Sequence, residues 1–267
     1  MTFTKRIFLF LAIVLTSHTY AQTISMDQLS MEDALRRLQL MGKIEGDISF
    51  MLRPIQSTRL HSWDSVLQSI DPSVKAMGNK KMDKHFFGNW GYASLLPVQI
   101  TQQYVTAQSF QELDGPMIAS SGYQVMASAG IFAKLGPLTI QLQPQYVSAA
   151  NSDFRGTKQT PNYQQTYWGN SSIRLNAGPV SVGISSENIT WGPSLMNPLL
   201  MSAHAPGFLH YTLNSRRPLR TPIGSFEWQW VAAFLDGIDP KYNGIADISY
   251  ADATQRRYFN GAMLNYQ

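Results

Sequence analysis

Cysteine is absent from the 267 residues, which removes disulfide frameworks, thiolate nucleophiles and thiolate metal ligands together. Charge is scarce as well. Asp, Glu, Lys and Arg make up 14% of the chain, well below the usual quarter and too little for a disordered tail or a solvated coiled coil. Long apolar runs are also lacking. No segment reaches the ~18 consecutive apolar residues of a membrane-crossing helix, and mean hydropathy is slightly negative, which argues against a polytopic helical membrane protein. What is present is 12% aromatic residues and many uncharged polar ones. This composition suits a β-rich chain whose strands show one face to something apolar.

The amino terminus reads as an export signal. Lys5 and Arg6 form a positive region, Ile7 to Leu15 is apolar, and Thr19-Tyr20-Ala21 places small residues before Gln22. This pattern predicts a secretory signal peptide over 1–21, cleaved after Ala21. With no later helix long enough to span, a mature chain that enters a membrane must do so as a closed β-barrel. Cleavage also changes the charge. The full chain has 21 Lys+Arg against 17 Asp+Glu, or +4, and loss of Lys5 and Arg6 leaves 19 against 17, or +2. A globally basic surface for nucleic acid loses its support.

Residues 22–88 are expected to form a periplasmic region of helical and extended segments. Ser30 is placed to cap a helix over Met31–Met41 with Asp33 in its first turn, Leu35, Leu38 and Met41 on one face, and Gly42 as the stop. A second helix is predicted over His61–Ile70, ended by Asp71-Pro72. Ile48–Ile55, which contains Arg53-Pro54, reads as extended, and Asp71–Lys84 reads as a polar loop rich in lysine.

Residues 89–267 change to a period of two. Leu138, Ile140, Leu142, Pro144 and Tyr146 alternate with Thr139, Gln141, Gln143 and Gln145. A soluble half-buried strand gives the same alternation, but an uncharged glutamine face suits a water-filled lumen. Candidate strands are Ile48–Ile55, Val98–Gln108, Gln124–Lys134, Leu138–Ser148, Ser171–Ala177, Val180–Ser186, Ser225–Leu235 and Tyr258–Tyr266. Leu135-Gly136-Pro137 and Gly178-Pro179 predict two tight hairpins. The longer polar stretch between them, Ala150–Asn170, gives the short-turn, long-loop asymmetry of outer-membrane barrels. It is expected outside the cell, with the Gly-Pro turns in the periplasm.

A search for catalytic chemistry returns nothing: there is no GxSxG, Walker loop, GxGxxG or HExxH. No catalytic residue, metal site or cofactor is expected. His204 and His210 with Glu187 are the one conceivable ligand set, and hydrogen-bonded loop histidines are the simpler reading. Glu187 and Asp153 are the one conceivable glycosidase pair.

The densest constellation runs from Glu187 to Thr221. It contains Glu187-Asn188-Ile189-Thr190-Trp191-Gly192-Pro193, then Leu199-Leu200-Met201-Ser202 with Ala205-Pro206-Gly207-Phe208, then Arg217-Pro218 with Thr221-Pro222-Ile223-Gly224. Its proline and glycine exclude a helix, and its apolar residues predict that it folds inward. These runs, in this order and with the earlier Arg53-Pro54, resemble the capsule assembly Wzi family over most of the mature chain. The resemblance implies a transmembrane antiparallel β-barrel of about eighteen strands, an even number within the range of such barrels, behind a small amino-terminal helical region. It implies assembly and surface attachment of capsular or extracellular polysaccharide by a non-enzymatic lectin of the outer membrane. Eighteen tilted strands of about 9–11 residues need nearly twice this length, so the chain is expected to be an amino-terminal portion with about half of the barrel.

Sugar rings stack on aromatic faces, and their hydroxyl and carboxylate groups pair with Asn, Glu and Arg. The candidate glycan-binding residues are therefore Glu187, Asn188 and Trp191 with Arg174, Arg216, Arg217 and Arg220. Polysaccharide and outer-membrane lipid are the expected partners, and the protein is expected to be a monomer. A porin-like solute channel is the alternative that the glutamine faces also suit, and a secreted β-sandwich hydrolase is a third.

Overall fold

The computed structural model describes residues 23–24, 29–44, 49–56, 84–86, 91–106, 115–150, 162–194, 198, 200–235 and 257–267. The expected signal peptide, the expected helix at His61–Ile70 and most of the lysine-rich loop lie outside the described residues. The described part is mainly antiparallel β-structure with one helix, and none of its helices is long and apolar enough to cross a membrane.

The amino-terminal part contributes short elements: β1 (Thr23–Ile24), α1 (Leu29–Leu40), β2 (Leu52–Arg53) and β3 (Ile55–Gln56), with β1 paired to β3. Helix α1 starts ahead of the expected cap and stops where glycine was expected to stop it. Gly42 takes φ +68°, its N–H donates to Gln39 O at 2.9 Å, and the Lys43 N–H donates to Leu38 O at 2.9 Å. This is the paired closure that a left-handed glycine allows. Leu35 and Leu38 are buried as expected, but Met41 is 59% exposed, because the chain turns away from the packed face at Gly42.

The remaining strands form one sheet: β4 (Lys84–Phe86), β5 (Gly91–Val105), β6 (Gly122–Leu135), β7 (Leu138–Leu142), β8 (Gln145–Ala149), β9 (Tyr163–Tyr167), β10 (Ser172–Ala177), β11 (Val180–Ser185), β13 (His210–Ser215), β14 (Leu219–Thr221), β15 (Gly224–Leu235) and β16 (Arg257–Tyr266). Strand β12 (Thr190–Trp191) stands apart and pairs with β2. With β7–β8, β9–β10 and β13–β14 each taken as one interrupted strand, every pairing joins chain neighbours, so the sheet is an up-and-down meander.

One strand expected as single is broken, and two stretches expected outside the sheet are partly strand. Leu138–Ser148 is split at Gln143-Pro144, yet β7 and β8 keep one register against β6, with Leu142 facing Ile131 and Gln145 facing Ser128. Pro144 has no N–H to give the ladder. The Gln143 N–H instead donates to Ser171 Oγ at 3.0 Å, across an interruption between β9 and β10. The polar stretch expected over Ala150–Asn170 is thus partly strand, because Tyr163-Gln164-Gln165-Thr166-Tyr167 extends β10 along β8. Likewise β13 and β14 lie in succession along β15, so the second half of the Glu187–Thr221 segment is sheet rather than inward loop. The strand expected from Val98 begins at Gly91, with an irregularity between Leu96 and Gln99 around Pro97.

The two expected tight turns are present. Gly136 and Gly178 both take φ +55° as first residue of a two-residue hairpin turn, a conformation that glycine adopts without cost. At the same end Pro222-Ile223 joins β14 to β15. The connections at the opposite end are longer throughout: 106–121, 150–162, 186–209 and 236–256.

The sheet buries its polar face. Gln124, Gln141, Ser172, Arg174, Asn214 and Glu227 are buried, whereas Ile131, Leu142, Ile173, Leu175, Val182 and Tyr211, on the opposite face, are exposed. The register makes these true faces, because Ile173 lies opposite Ile184 and Leu175 opposite Val182, while Ser172 lies opposite Ser185. Among the described residues β16 pairs with β15 alone.

Candidate functional site

The buried face carries two carboxylate-centred nodes. The first lies where β11 ends and the chain turns inward. Glu187 accepts the Ser185 hydroxyl at 2.9 Å and Arg174 Nη2 at 2.9 Å, and its own N–H donates to Ser185 Oγ at 3.1 Å. Arg174 Nη1 continues to Asn214 Oδ1 at 3.1 Å. Arg174 starts on β10 and Asn214 is on β13, so the arginine must cross β11. The residue paired with Arg174 on β11 is Gly183, where an added Cβ would lie 3.0 Å from Arg174 Cγ and 2.2 Å from Ile173 O. A glycine here leaves the lane that the arginine uses. His210 closes the node's upper edge, its Nδ1–H donating to Phe208 O at 2.7 Å.

The second node joins the amino-terminal elements to the inward segment. Glu32, one turn into α1, receives Arg53 Nε on Oε2 at 2.8 Å and Arg53 Nη2 on Oε1 at 2.8 Å, a bidentate pair of planar groups. Arg36, one turn further along the helix, adds two more bonds to Oε1, from Nη2 at 2.8 Å and Nε at 3.0 Å. Arg53 Nη1 donates to Gly192 O at 2.9 Å and Arg36 Nη2 to Pro193 O at 3.2 Å. The Gly192 N–H returns a bond to Met51 O at 2.9 Å. Ser49 hydrogen-bonds Glu227 on the buried face of β15, so the amino-terminal segment is tied both to the inward segment and to the sheet.

Trp191 sits between these nodes. It is 6% exposed and packs with Leu52, Ile189 and Val231, against Phe259 and Met263 of β16. Its indole N–H donates to Gln229 Oε1 at 2.9 Å. The ring lies so close to β16 that a Cβ on Gly261 would come within 2.8 Å of Trp191 Cη2. We expect Gly261→Ala to cost about 1–3 kcal/mol through overpacking, read as a shift of the urea midpoint in detergent. Trp191→Phe in that background should recover most of the loss; no recovery would place the strain elsewhere.

The structure brings together only part of the expected glycan constellation. Arg174 and Glu187 meet, but as a buried pair engaged with each other. Asn188 is half-buried beside them, and Trp191 has its faces covered. Arg216, Arg217 and Arg220 lie at the other end, by the short turns. The Arg216 N–H donates to Pro179 O at 2.8 Å and its Nη1 to Gly178 O at 3.0 Å. Partial burial, and then the charge of Arg217, lower the Arg216 pKa from the ordinary arginine value. Arg217 and Arg220 are exposed. Sequence reasoning missed Glu32, Ser49, Gln229 and Asn214, since an acidic residue in a first helical turn and polar residues in alternation carry no mark of their partners. Among the described residues no group of three His, Cys, Asp or Glu converges as a metal site.

Comparison with protein families, with curated proteins and with solved structures returns no match.

Proposed function

We propose that this chain forms wall and interior plug of an outer-membrane β-barrel that serves capsular or extracellular polysaccharide assembly and surface attachment as a non-enzymatic glycan-binding protein. The observation that carries the membrane part is the inverted sheet, polar within and apolar without. A β-sandwich hydrolase in water would place Ile173, Leu175, Val182 and Ile184 inside, because burying them is its main source of stability. Lipid reverses that preference.

Two further observations support the reading. On the outer face, Phe226 packs against Tyr266 with ring centroids 5.0 Å apart, and Phe234 against Tyr258 at 5.2 Å. These pairs lie eight residues apart on β15 and on β16, about 26 Å along the strand. That separation fits the ~25 Å apolar band flanked by aromatic girdles in such barrels. All short turns also lie at one end, the periplasmic end by the general rule, and all long connections at the other.

The polysaccharide part rests on the Glu187–Gly207 runs and their family resemblance. It assigns glycan contact to the long-connection end, with Arg174 and Glu187 holding the segment from beneath. The porin alternative is disfavoured by the apolar cluster of Leu52, Ile189, Trp191 and Val231 on the inner face, where an open channel needs water.

The test uses the protein expressed in a capsulated Gram-negative host. It should float with outer-membrane vesicles, migrate faster before heating than after, and retain purified acidic capsular polysaccharide on a column. Sedimentation with the soluble fraction would sink the membrane reading, and flotation without polysaccharide retention would sink the glycan reading alone.

A further inference from the structure

The β13–β14 break is the most basic stretch of the described wall. From Ser215 to Phe226 the chain holds three arginines and no acidic residue. Residues 216–218 stand out of the ladder between two strands that otherwise run along β15 in succession. Arg216 is fixed there, its guanidinium laid over the carbonyl of the neighbouring hairpin at Gly178. Arg217 beside it is exposed, whereas Arg220 is paired with the buried Ser225 and so belongs to the inner face of β14. The outer face at this height is aromatic and apolar. Leu219 lies opposite Phe226, Phe226 opposite Tyr266, and Ile223 at the turn is 73% exposed. Guanidinium groups level with a girdle of this kind meet the headgroup layer, where phosphate is the abundant anion. The rim is at the end opposite the long connections, which removes it from surface glycan.

We propose that Arg216 and Arg217 form a docking rim for the headgroup phosphates of anionic phospholipid. The planar fork of arginine binds two phosphate oxygens at once, and the exposed Ile223 and Tyr266 give acyl chains a surface beside it. The inference rests on the membrane reading above.

The experiment compares the wild type, Arg216→Gln/Arg217→Gln, and Arg257→Gln, which removes an exposed arginine at the other end of the wall. Each is reconstituted into vesicles of mixed phosphatidylglycerol and phosphatidylcholine, extracted in mild detergent, and the co-purifying lipid is weighed by class. Each cation near an anionic surface is worth about fivefold in partitioning. The wild type and Arg257→Gln should therefore enrich phosphatidylglycerol, and the double variant should lose about an order of magnitude of that enrichment while keeping its heat-modifiable band. Equal enrichment in all three, an equal loss in Arg257→Gln, or displacement of the lipid by acidic polysaccharide overturns the proposal. A wild type that fails to enter the mixed vesicles overturns the membrane reading and the rim with it. Entry without an arginine effect overturns the rim only.

Discussion

Replacing Arg174 by methionine is expected to lower stability by about 3–5 kcal/mol, the usual penalty for removing one partner of a buried ion pair. The side chains of Arg174 and Glu187 are 6% and 1% exposed, so the stranded carboxylate cannot recover its hydration. The loss extends beyond one contact, because Asn214 Oδ1 loses its 3.1 Å donor and keeps the Thr212 hydroxyl at 3.5 Å. A second substitution separates the pair's net worth from the penalty of stranding. Glu187→Gln in the Arg174→Met background removes the unpaired charge and should restore more than half of the loss, since a neutral amide still bonds Ser185. The measurement is a double-mutant cycle on urea midpoints in detergent. A double variant as unstable as Arg174→Met alone would show that Arg174 acts through Asn214, or through packing across Gly183, rather than through Glu187.

The other large effect belongs to Arg53→Met. Arg53 and Glu32 are 1% and 5% exposed at their side chains, and the arginine also holds the Gly192 carbonyl. The cost is again about 3–5 kcal/mol, but it falls on the docking of α1 and β2 rather than on the ladder of the wall. The outcome is therefore local. Trp191 emission should shift to the red, and, on the proposed barrel reading, heat-modifiable migration should persist and planar bilayers should show conductance steps that the wild type does not give. Trp191 is one of six tryptophans, so its emission is taken as the difference from Trp191→Phe. Unchanged emission with a quiet bilayer would mean that the plug is held by its apolar contacts alone.

The sheet was legible where its local rules are strict. Two-residue Gly-Pro turns fix a hairpin, and alternation then fixes both faces, so Gln141, Gln143 and Gln145 share one face as expected, although that face is buried and not the wet one expected of a water-filled lumen. Reading failed where a partner elsewhere in the chain decides. Nothing around Tyr163 marks a strand until β8 offers it a ladder, and nothing around His210 does until β11 and β15 flank it. The candidate site was legible in composition and opaque in assembly. Arg174 and Glu187 were singled out as ligand-facing groups, yet opposite charges on one buried face satisfy each other first. Trp191 was singled out for its ring, and the glycine that receives it, Gly261, lies 70 positions later. Arg216 and Arg217 share a motif with the inward segment, but strand direction carries them to the other rim.

Sequence separation between the bonded residues imposes an order on folding. The hairpin of β6 and β7 closes across two residues, whereas Arg53 meets Gly192 across 139 positions and Ser49 meets Glu227 across 178. Contacts that close large loops form late and slowly. The wall therefore exists for a time before its plug, and during that interval the polar face is wet and Trp191 unshielded. On the proposed barrel reading, an enclosure built in this sequence passes through an open intermediate each time it is made, and the docking of one short helix sets how long that state lasts.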